Sequence, residues 1–397
     1  MPEYPDVFIV GAARTPIGKF LGGLAPLKAS DLGAVAIREA VKRAGIGGDD
    51  VDEVLMGHVV QGGQGQAPAR QAQIKAGINP VVGAVTINKV CGSGLKAVMM
   101  GAAAIKAGDA ESVVAGGQES MSTAPHYLFS GRTGQRLGDT TLKDGAVMDG
   151  LWCSFNDCHM IELAQYTAVK AKLTREELDR FSAESHQKAA QAWAECRFSK
   201  EVVPVSIPQR KGDPIVIAKD ESIRPDTTPE TLAKLGAVTQ DKGGMITAGN
   251  APGLNDGGAA LVLMSADRVK KTGAKPLARI VAYATGGGEP KDLFFAPIDA
   301  VQKLMKKMSV SIGHFDLIEA NEAFAAQAVA DGKALGWDWS RVNVNGGAVA
   351  LGHPIGASGA RVLVTLLYAL EQRGKKTGLA TLCLGGGNAV ALAVERA

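Results

Sequence analysis

The chain has 397 residues, too many for one compact core, so two or three domains are expected. With 46% hydrophobic and 21% charged residues it is no disordered chain, and a net charge of +3 is far too small to indicate a nucleic-acid partner. Five cysteines, an odd number, do not make a disulfide framework and fit a reducing compartment.

MPEYPDVFIVGAART reaches a strand-like run, DVFIVG, without the basic and long apolar segments of a signal peptide. ASDLGAVAIREAVKRAG follows, with Asp31 near its start, helical apolar spacing and a closing Gly45. GGQGQAPARQ hints at a phosphate loop but lacks the third glycine of the dinucleotide fingerprint and the lysine of a P-loop. NKVCGSGLKAV sets Cys91 between a short extended run and the helix GSGLKAVMMGAAAIKAG, whose apolar stripe is Leu95, Val98, Met99, Ala102 and Ile105 and whose end is Gly108. SVVAGG is a further strand, and LATLCLGGG, near the other end of the chain, is another. Such strand–helix alternation predicts an α/β fold. No uninterrupted apolar run approaches the roughly 20 residues of a membrane span, and the final VERA is not a peroxisomal address, so a cytoplasmic protein with no membrane partner is expected.

An approximate repeat runs through the chain. AIREAVKRAGIGGDDVDEVLMGH gives a helix, a gap and a strand ending at Gly57-His58; AVQKLMKKMSVSIGHFDLIEAN repeats that order and ends at Ala320-Asn321. Two similar α/β halves are predicted, residues 1–121 with 251–275 and residues 276–397, their matched strand ends meeting at one site. Residues 122–250, richer in polar residues, prolines and charges, read as an inserted domain of the kind that carries binding function.

A thiol at a helix start is held where free N–H groups and the dipole favour a thiolate, so Cys91 is either a nucleophile or a buried structural cysteine. His353, ahead of Pro354 in NGGAVALGHPIGASGAR, stands at a second rigid helix start and is either a base or a packed histidine. Cys383 precedes three glycines whose N–H groups can face a developing oxyanion; it reads equally as a core cysteine before a turn. Asn321 in EANEAFAAQ is a site residue or a helix cap.

Taken in chain order, as the motifs of Cys91, Asn321, His353 and Cys383, these four resemble those of the thiolase family over essentially the whole chain. The sequence is most similar to the biosynthetic, short-chain branch, whose His-Met pair is matched by CHM at 158–160 and whose tetramerisation loop is matched by APHYLFSGRTGQRLGDTTLKDG. The resemblance implies a layered αβαβα core with an inserted loop domain. It implies reversible Claisen condensation of two acetyl-CoA to acetoacetyl-CoA and CoA through an acetyl-cysteine. Cys91 is then the nucleophile, His353 its base, and Cys383 the acid–base for the α-carbon. Asn321, through a water, joins His353 on the second substrate's thioester oxygen; the N–H groups of Cys91 and Gly385 form the other oxyanion hole. Leu151, His159, Met160, Arg224, Thr231, Pro252, Ala323 and Phe324 match positions that bind CoA or the acyl group. CoA is substrate and product, so no resident cofactor or metal is implied, and a homotetramer built as a dimer of dimers is.

The chain departs from the branch at Pro252, Thr231, Asn388, Cys153 and Asn156, which bears on CoA affinity and acyl preference. Cys153, Cys158 and His159 invite a zinc site but no second ligand pair follows; Cys196 reads as structural. The alternatives are a degradative 3-ketoacyl-CoA thiolase for longer chains, a β-ketoacyl synthase and a non-catalytic CoA-binding scaffold.

Overall fold

A computed structural model describes residues 4–241 and 243–397. The first half contributes strands β1 (Val7–Arg14), β2 (Glu53–Gly57), β3 (Gly83–Ile87), β4 (Ser112–Ser120) and β5 (Asn255–Ser265), with helices α1 (Ala29–Ala44), α2 (Pro68–Ala76) and α3 (Ser93–Ala107). The inserted segment carries α4 (Met160–Lys170) and α5 (Arg175–Ala194). The second half contributes strands β6 (Ala278–Gly287), β7 (Leu317–Ala320), β8 (Thr377–Leu384) and β9 (Asn388–Arg396), with α6 (Ala296–Met308), α7 (Ala325–Leu335) and α8 (Ile355–Gln372).

The strands lie in the order β7-β8-β9-β6-β1-β5-β4-β2-β3, with a two-residue strand at Gly18–Lys19 beside β5. β2 runs parallel to β3 and β4, β7 runs parallel to β8, and the other neighbours are antiparallel. The two halves repeat one pattern, β2-β4-β5-β1 matching β7-β8-β9-β6. They join through one short seam, Phe8 opposite Arg279 and Ile9 opposite Ala278, which makes a single continuous sheet. The sequence repeat carries no sign of that seam, because the pairing involves only two residues on each strand.

Side-chain alternation sorts the strands into layers. Ala259, Leu261 and Leu263 of β5 face one large core, while Ala260, Val262 and Met264 face another built with Ala36, Ile37 and Ala40 of α1 and Ala69 and Ala72 of α2. The first core surrounds α3 and α8, which pack on strands of both halves, and α6 covers β6 and β9 from outside. This is the expected five-layer arrangement. Each fully buried leucine or isoleucine there contributes about 1.5–3 kcal/mol.

α3 is apolar almost all round. The stretch Val90–Ala107 is apolar and long enough to cross a membrane by composition, yet Leu95, Val98, Ala102 and Ile105 are buried within the fold. α3 and α8 cross at glycines: a Cβ on Gly94 would lie 2.6 Å from the Ala360 nitrogen, and one on Gly359 would strike the Leu95 nitrogen. Backbone contact within the first two turns of both helices brings Cys91 and His353 into one region.

The inserted segment packs onto the second half, where Leu163, Ala164, Ala168 and Leu178 share a core with Phe294, Phe324, Ala326 and Val329. Its loop around 126–144 stands out from this packing, held at its base by the ladder His126–Tyr127 with Lys143–Asp144, and it exposes Leu128, Phe129, Leu137 and Leu142. Cys196, expected to be structural, is exposed at a left-handed turn position (φ 57°) after α5. A chain reversal, not a core, sets its environment.

Candidate active site

Cys91 is placed by a tight turn after β3. Asn88 Oδ1 accepts from the Val90 nitrogen (3.0 Å), Ser93 Oγ accepts from the Lys89 nitrogen (2.8 Å), and the same hydroxyl donates to the Val90 carbonyl (2.6 Å). Val90 adopts φ 47°, a conformation costing a branched residue about 1–3 kcal/mol. The backbone N–H groups of Gly385 and of Cys91 itself reach the sulfur. Burial nevertheless dominates and pushes the resting thiol up to about 12, with Glu119 adding to the rise. The free thiol is therefore protonated and needs a base.

His353 sits between Gly352, whose φ of 109° no other residue adopts without strain, and Pro354. Its backbone nitrogen donates to Asn255 Oδ1 (2.8 Å). Its Nδ1 lies 2.6 Å from Ser358 Oγ, which donates to the Pro354 carbonyl at 2.9 Å. A hydroxyl has one proton, so both bonds form only if Nδ1 carries the imidazole hydrogen, which leaves the Nε2 lone pair free. Burial, then the charge of Arg361, push His353 down to about 3, so the ring is neutral and available as an acceptor.

Asn321, fully buried, follows β7 and has Nδ2 3.4 Å from His353 Nε2. The next residue, Glu322, ties this corner to the His353 loop: its carboxylate accepts from Asn343 Nδ2 (2.8 Å), Ser185 Oγ (2.8 Å) and the Val349 nitrogen (3.0 Å). Cys383, near the end of β8, is buried; that burial first, and Cys91 second, hold its thiol well above the ordinary range.

Cys91, His353, Cys383, Gly385, Leu151, His159, Met160, Pro252, Ala323 and Phe324 line one cavity of about 350 Å³. Asn321 stands behind His353, not on the lining. Arg224 and Thr231 lie outside the cavity. Arg224 is exposed with its Nη2 3.2 Å from His186 Nε2, and Thr231 uses its hydroxyl to close the cap at Thr228 (3.0 Å). His159 caps α4, its Nδ1 accepting from the Ile161 nitrogen (3.1 Å). Cys153 is buried with Asn156 Nδ2 on its sulfur (3.2 Å), and Asn388 accepts from Lys89 Nζ (3.1 Å). Among the described residues no group of three or more His, Cys, Asp or Glu side chains is placed to hold a metal ion.

Sequence reasoning missed several lining residues, among them Met121, Ile161, Leu293, Phe294 and Ile355. Leu293 and Phe294 sit in EPKDLFFAP, where consecutive large apolar residues directly before the Pro297 helix start are the available signal. It also missed Glu119, a fully buried carboxylate that accepts from the Val59 (3.1 Å), Val60 (3.1 Å) and Gly356 (2.8 Å) nitrogens and has His58 Nε2 at 3.2 Å.

A two-thiol cavity with a neutral imidazole and backbone donors, at the junction of two repeated α/β halves, defines an enzyme that handles thioesters. The chain belongs to the thiolase family: residues 7–267 match the thiolase N-terminal domain and residues 274–396 the thiolase C-terminal domain. It is 53% identical over 390 residues to an acetyl-CoA acetyltransferase of Thiocystis violacea, with 98% of this chain and 99% of the relative covered. It is 54% identical over 391 residues to the Pseudomonas aeruginosa enzyme of that name, with 98% and 99% covered. The solved acetyl-CoA acetyltransferase of Bacillus anthracis superposes with a TM-score of 0.97 at 42% identity, covering 99% of each chain.

Proposed function

We propose that this protein is an acetyl-CoA C-acetyltransferase that reversibly condenses two acetyl-CoA to acetoacetyl-CoA and CoA. The observation that carries the reading is the single cavity in which Cys91, with the Gly385 and Cys91 N–H groups on its sulfur, shares its lining with His353 and Cys383. The names of relatives at half identity over full length support it.

Cys91 gives its proton to His353 Nε2 and attacks the acetyl carbonyl, the oxyanion lying in the Cys91 and Gly385 N–H groups. The departing CoA sulfur takes the Cys383 proton, which that thiol holds because burial keeps it protonated. Acetyl-Cys91 then stands beside an imidazolium and the Cys383 thiolate, a charge pair that stabilises itself in a site of low dielectric. Cys383 takes the α-proton of the second acetyl-CoA. Its thioester oxygen is held by His353 Nε2–H and, through water, by Asn321. The carbanion attacks acetyl-Cys91, and the released Cys91 sulfur recovers its proton from His353. Written this way the reaction needs no resident metal or cofactor.

CoA lies along the inserted segment 122–250, with Leu151, His159, Met160, Pro252, Ala323 and Phe324 at the acyl and pantetheine end. Arg224 and Thr231 are toward the nucleotide. A lining that includes Met160, Leu293 and Phe294 favours short acyl groups over the long chains of a degradative thiolase. The apolar side chains exposed on the 126–144 loop support a homotetramer, and sedimentation at micromolar concentration should give four chains; a dimer would contradict it. Five free thiols, two of them required reduced, support a cytoplasmic setting.

Acetyl-CoA alone should label Cys91, read by intact mass and peptide mapping. Acetoacetyl-CoA should be cleaved in preference to a long-chain 3-ketoacyl-CoA. A label on Cys383 or Cys196, or preference for the long chain, would overturn the assignment.

A further inference from the structure

We propose that Arg361 is a positioning residue for the second half-reaction, holding the Asn321 side chain so that its amide nitrogen, not its oxygen, faces His353 and, through water, the substrate's thioester oxygen. The inference rests on the role given above to Asn321.

α8 places Ser358, Arg361 and Thr365 on one face, at three- and four-residue spacing. Ser358 meets His353 Nδ1 and Thr365 meets Glu201. Arg361, between them, is 1% exposed and lies deep in the fold. An arginine so placed is expected to be held by a carboxylate, and Glu319 on β7 is the available one. Yet the contact, Nη1 to Glu319 Oε2, is 3.6 Å, and neither Glu319 oxygen nor the Arg361 Nε and Nη1 atoms have a hydrogen-bond partner. Burial also raises Glu319 to about 8, which weakens its hold on the cation at neutral pH. Among the described residues, the one hydrogen-bond acceptor within reach of the guanidinium is Asn321 Oδ1, 3.4 Å from Nη2.

That contact decides an ambiguity. An asparagine amide has an acceptor end and a donor end that can exchange by a flip about its last torsion. A guanidinium only donates, so the end facing Arg361 must be oxygen. In the resting enzyme the NH₂ group then faces the His353 Nε2 lone pair at 3.4 Å; once Nε2 is protonated for the second half-reaction the imidazole no longer favours that orientation, and the Arg361 contact alone holds it. Arg361 thus makes Asn321 a donor toward the site. It acts on the step in which negative charge grows on the second substrate's thioester oxygen, not on acylation, whose oxyanion lies in the Cys91 and Gly385 N–H groups.

A residue that merely stabilises the fold would weaken both half-reactions through loss of folded enzyme. The test uses the full-length enzyme and two assays, the rate of acetyl transfer from acetyl-CoA to Cys91 and the rate of condensation. Asn321→Ala alone should lose condensation by about 100-fold or more, as for a lost oxyanion donor, and keep acetylation. If it keeps condensation, the reading of Asn321 fails before Arg361 is tested. Arg361→Met should keep acetylation and lose condensation by about 10- to 100-fold, the range for a group that orients a functional side chain. The double variant should be no slower than Asn321→Ala within about twofold, because Arg361 acts only through that amide. Arg361→Lys, which keeps a donor, should recover part of the loss. Should Arg361→Met unfold, Arg361→Met with Glu319→Gln removes the buried cation and the carboxyl beside it together and the same rates are read. Equal losses in both assays, or multiplicative losses in the double variant, would overturn the proposal.

Discussion

The two halves of the chain present the same three positions to one junction and use them differently. In the first half, β2 ends at Gly57 opposite Gly117 of β4, so His58 and Glu119 stand just beyond that pair. In the second, β7 ends at Ala320 opposite Thr381 of β8, so Asn321 and Cys383 occupy the equivalent places. In the first pair the carboxylate is engaged: Glu119 holds three backbone N–H groups, one of them at the start of α8, and so anchors the helix that His353 directly precedes. The second pair leaves a thiol on the cavity wall and an amide beside the imidazole. The helix starts are alike in both halves, and each brings one of the groups proposed to react, Cys91 and His353. A duplicated fold thus supplies six converging positions: four carry the residues proposed for the chemistry, Cys91, His353, Asn321 and Cys383, and the other two, His58 and Glu119, sit at the strand ends that hold the start of α8.

Removing the anchor is the strongest way to break that contrast. Glu119→Ala leaves three buried N–H groups without an acceptor and should cost about 3 kcal/mol or more in urea unfolding. Cys383→Ala, which removes roughly one methylene's worth of buried surface, should cost about 1 kcal/mol. Similar losses for the two would mean that the halves do not divide their labour.

A second contrast is in pH. His353 is pushed down to about 3 by burial, then by Arg361, and His186 down to about 4 by burial, then by Arg224. Both folded values lie below the ordinary 6.5. The unfolded chain therefore binds more protons than the folded one between these values. Stability is retained above about 6.5 and falls as pH drops from there toward 3–4. His353→Asn should show a smaller fall in urea midpoint between about pH 7.5 and pH 5 than the parent protein. An unchanged fall would show that His353 is not held neutral by its surroundings.

The smallest effect concerns the cavity's rim. Pro252, which lines it, carries no hydroxyl. Pro252→Ser should tighten CoA by about 1 kcal/mol or less by calorimetry, one neutral hydrogen bond. Weaker binding would show that the loop at 251–254 depends on the proline ring.

Much of this was legible in the sequence because it is local. Cys91 and His353 stand at helix starts marked by glycine and proline, and the strand-helix alternation and repeat are read from short stretches. The partnerships that position them are not local. Glu119 meets Gly356 across 237 residues, and Arg361 meets Asn321 across 40. Nothing in the neighbouring sequence distinguishes Glu119 from a solvated glutamate. Leu293 and Phe294 reach the cavity only because the second half packs on the inserted helices. Cys196 misled because a cysteine in a helical, apolar context gives no hint that the helix has just ended.

The central claim is that the two thiols do different work, one carrying the acyl group and the other moving protons. It is tested most directly by acetylating Cys383→Ala with acetyl-CoA and then assaying thiolysis of acetoacetyl-CoA with the same preparation. The account predicts a full acetyl-Cys91 label, with carbon–carbon chemistry reduced at least about 100-fold, the lower end for a missing acid–base group. Near-normal thiolysis, or a folded protein that cannot be acetylated, would contradict it.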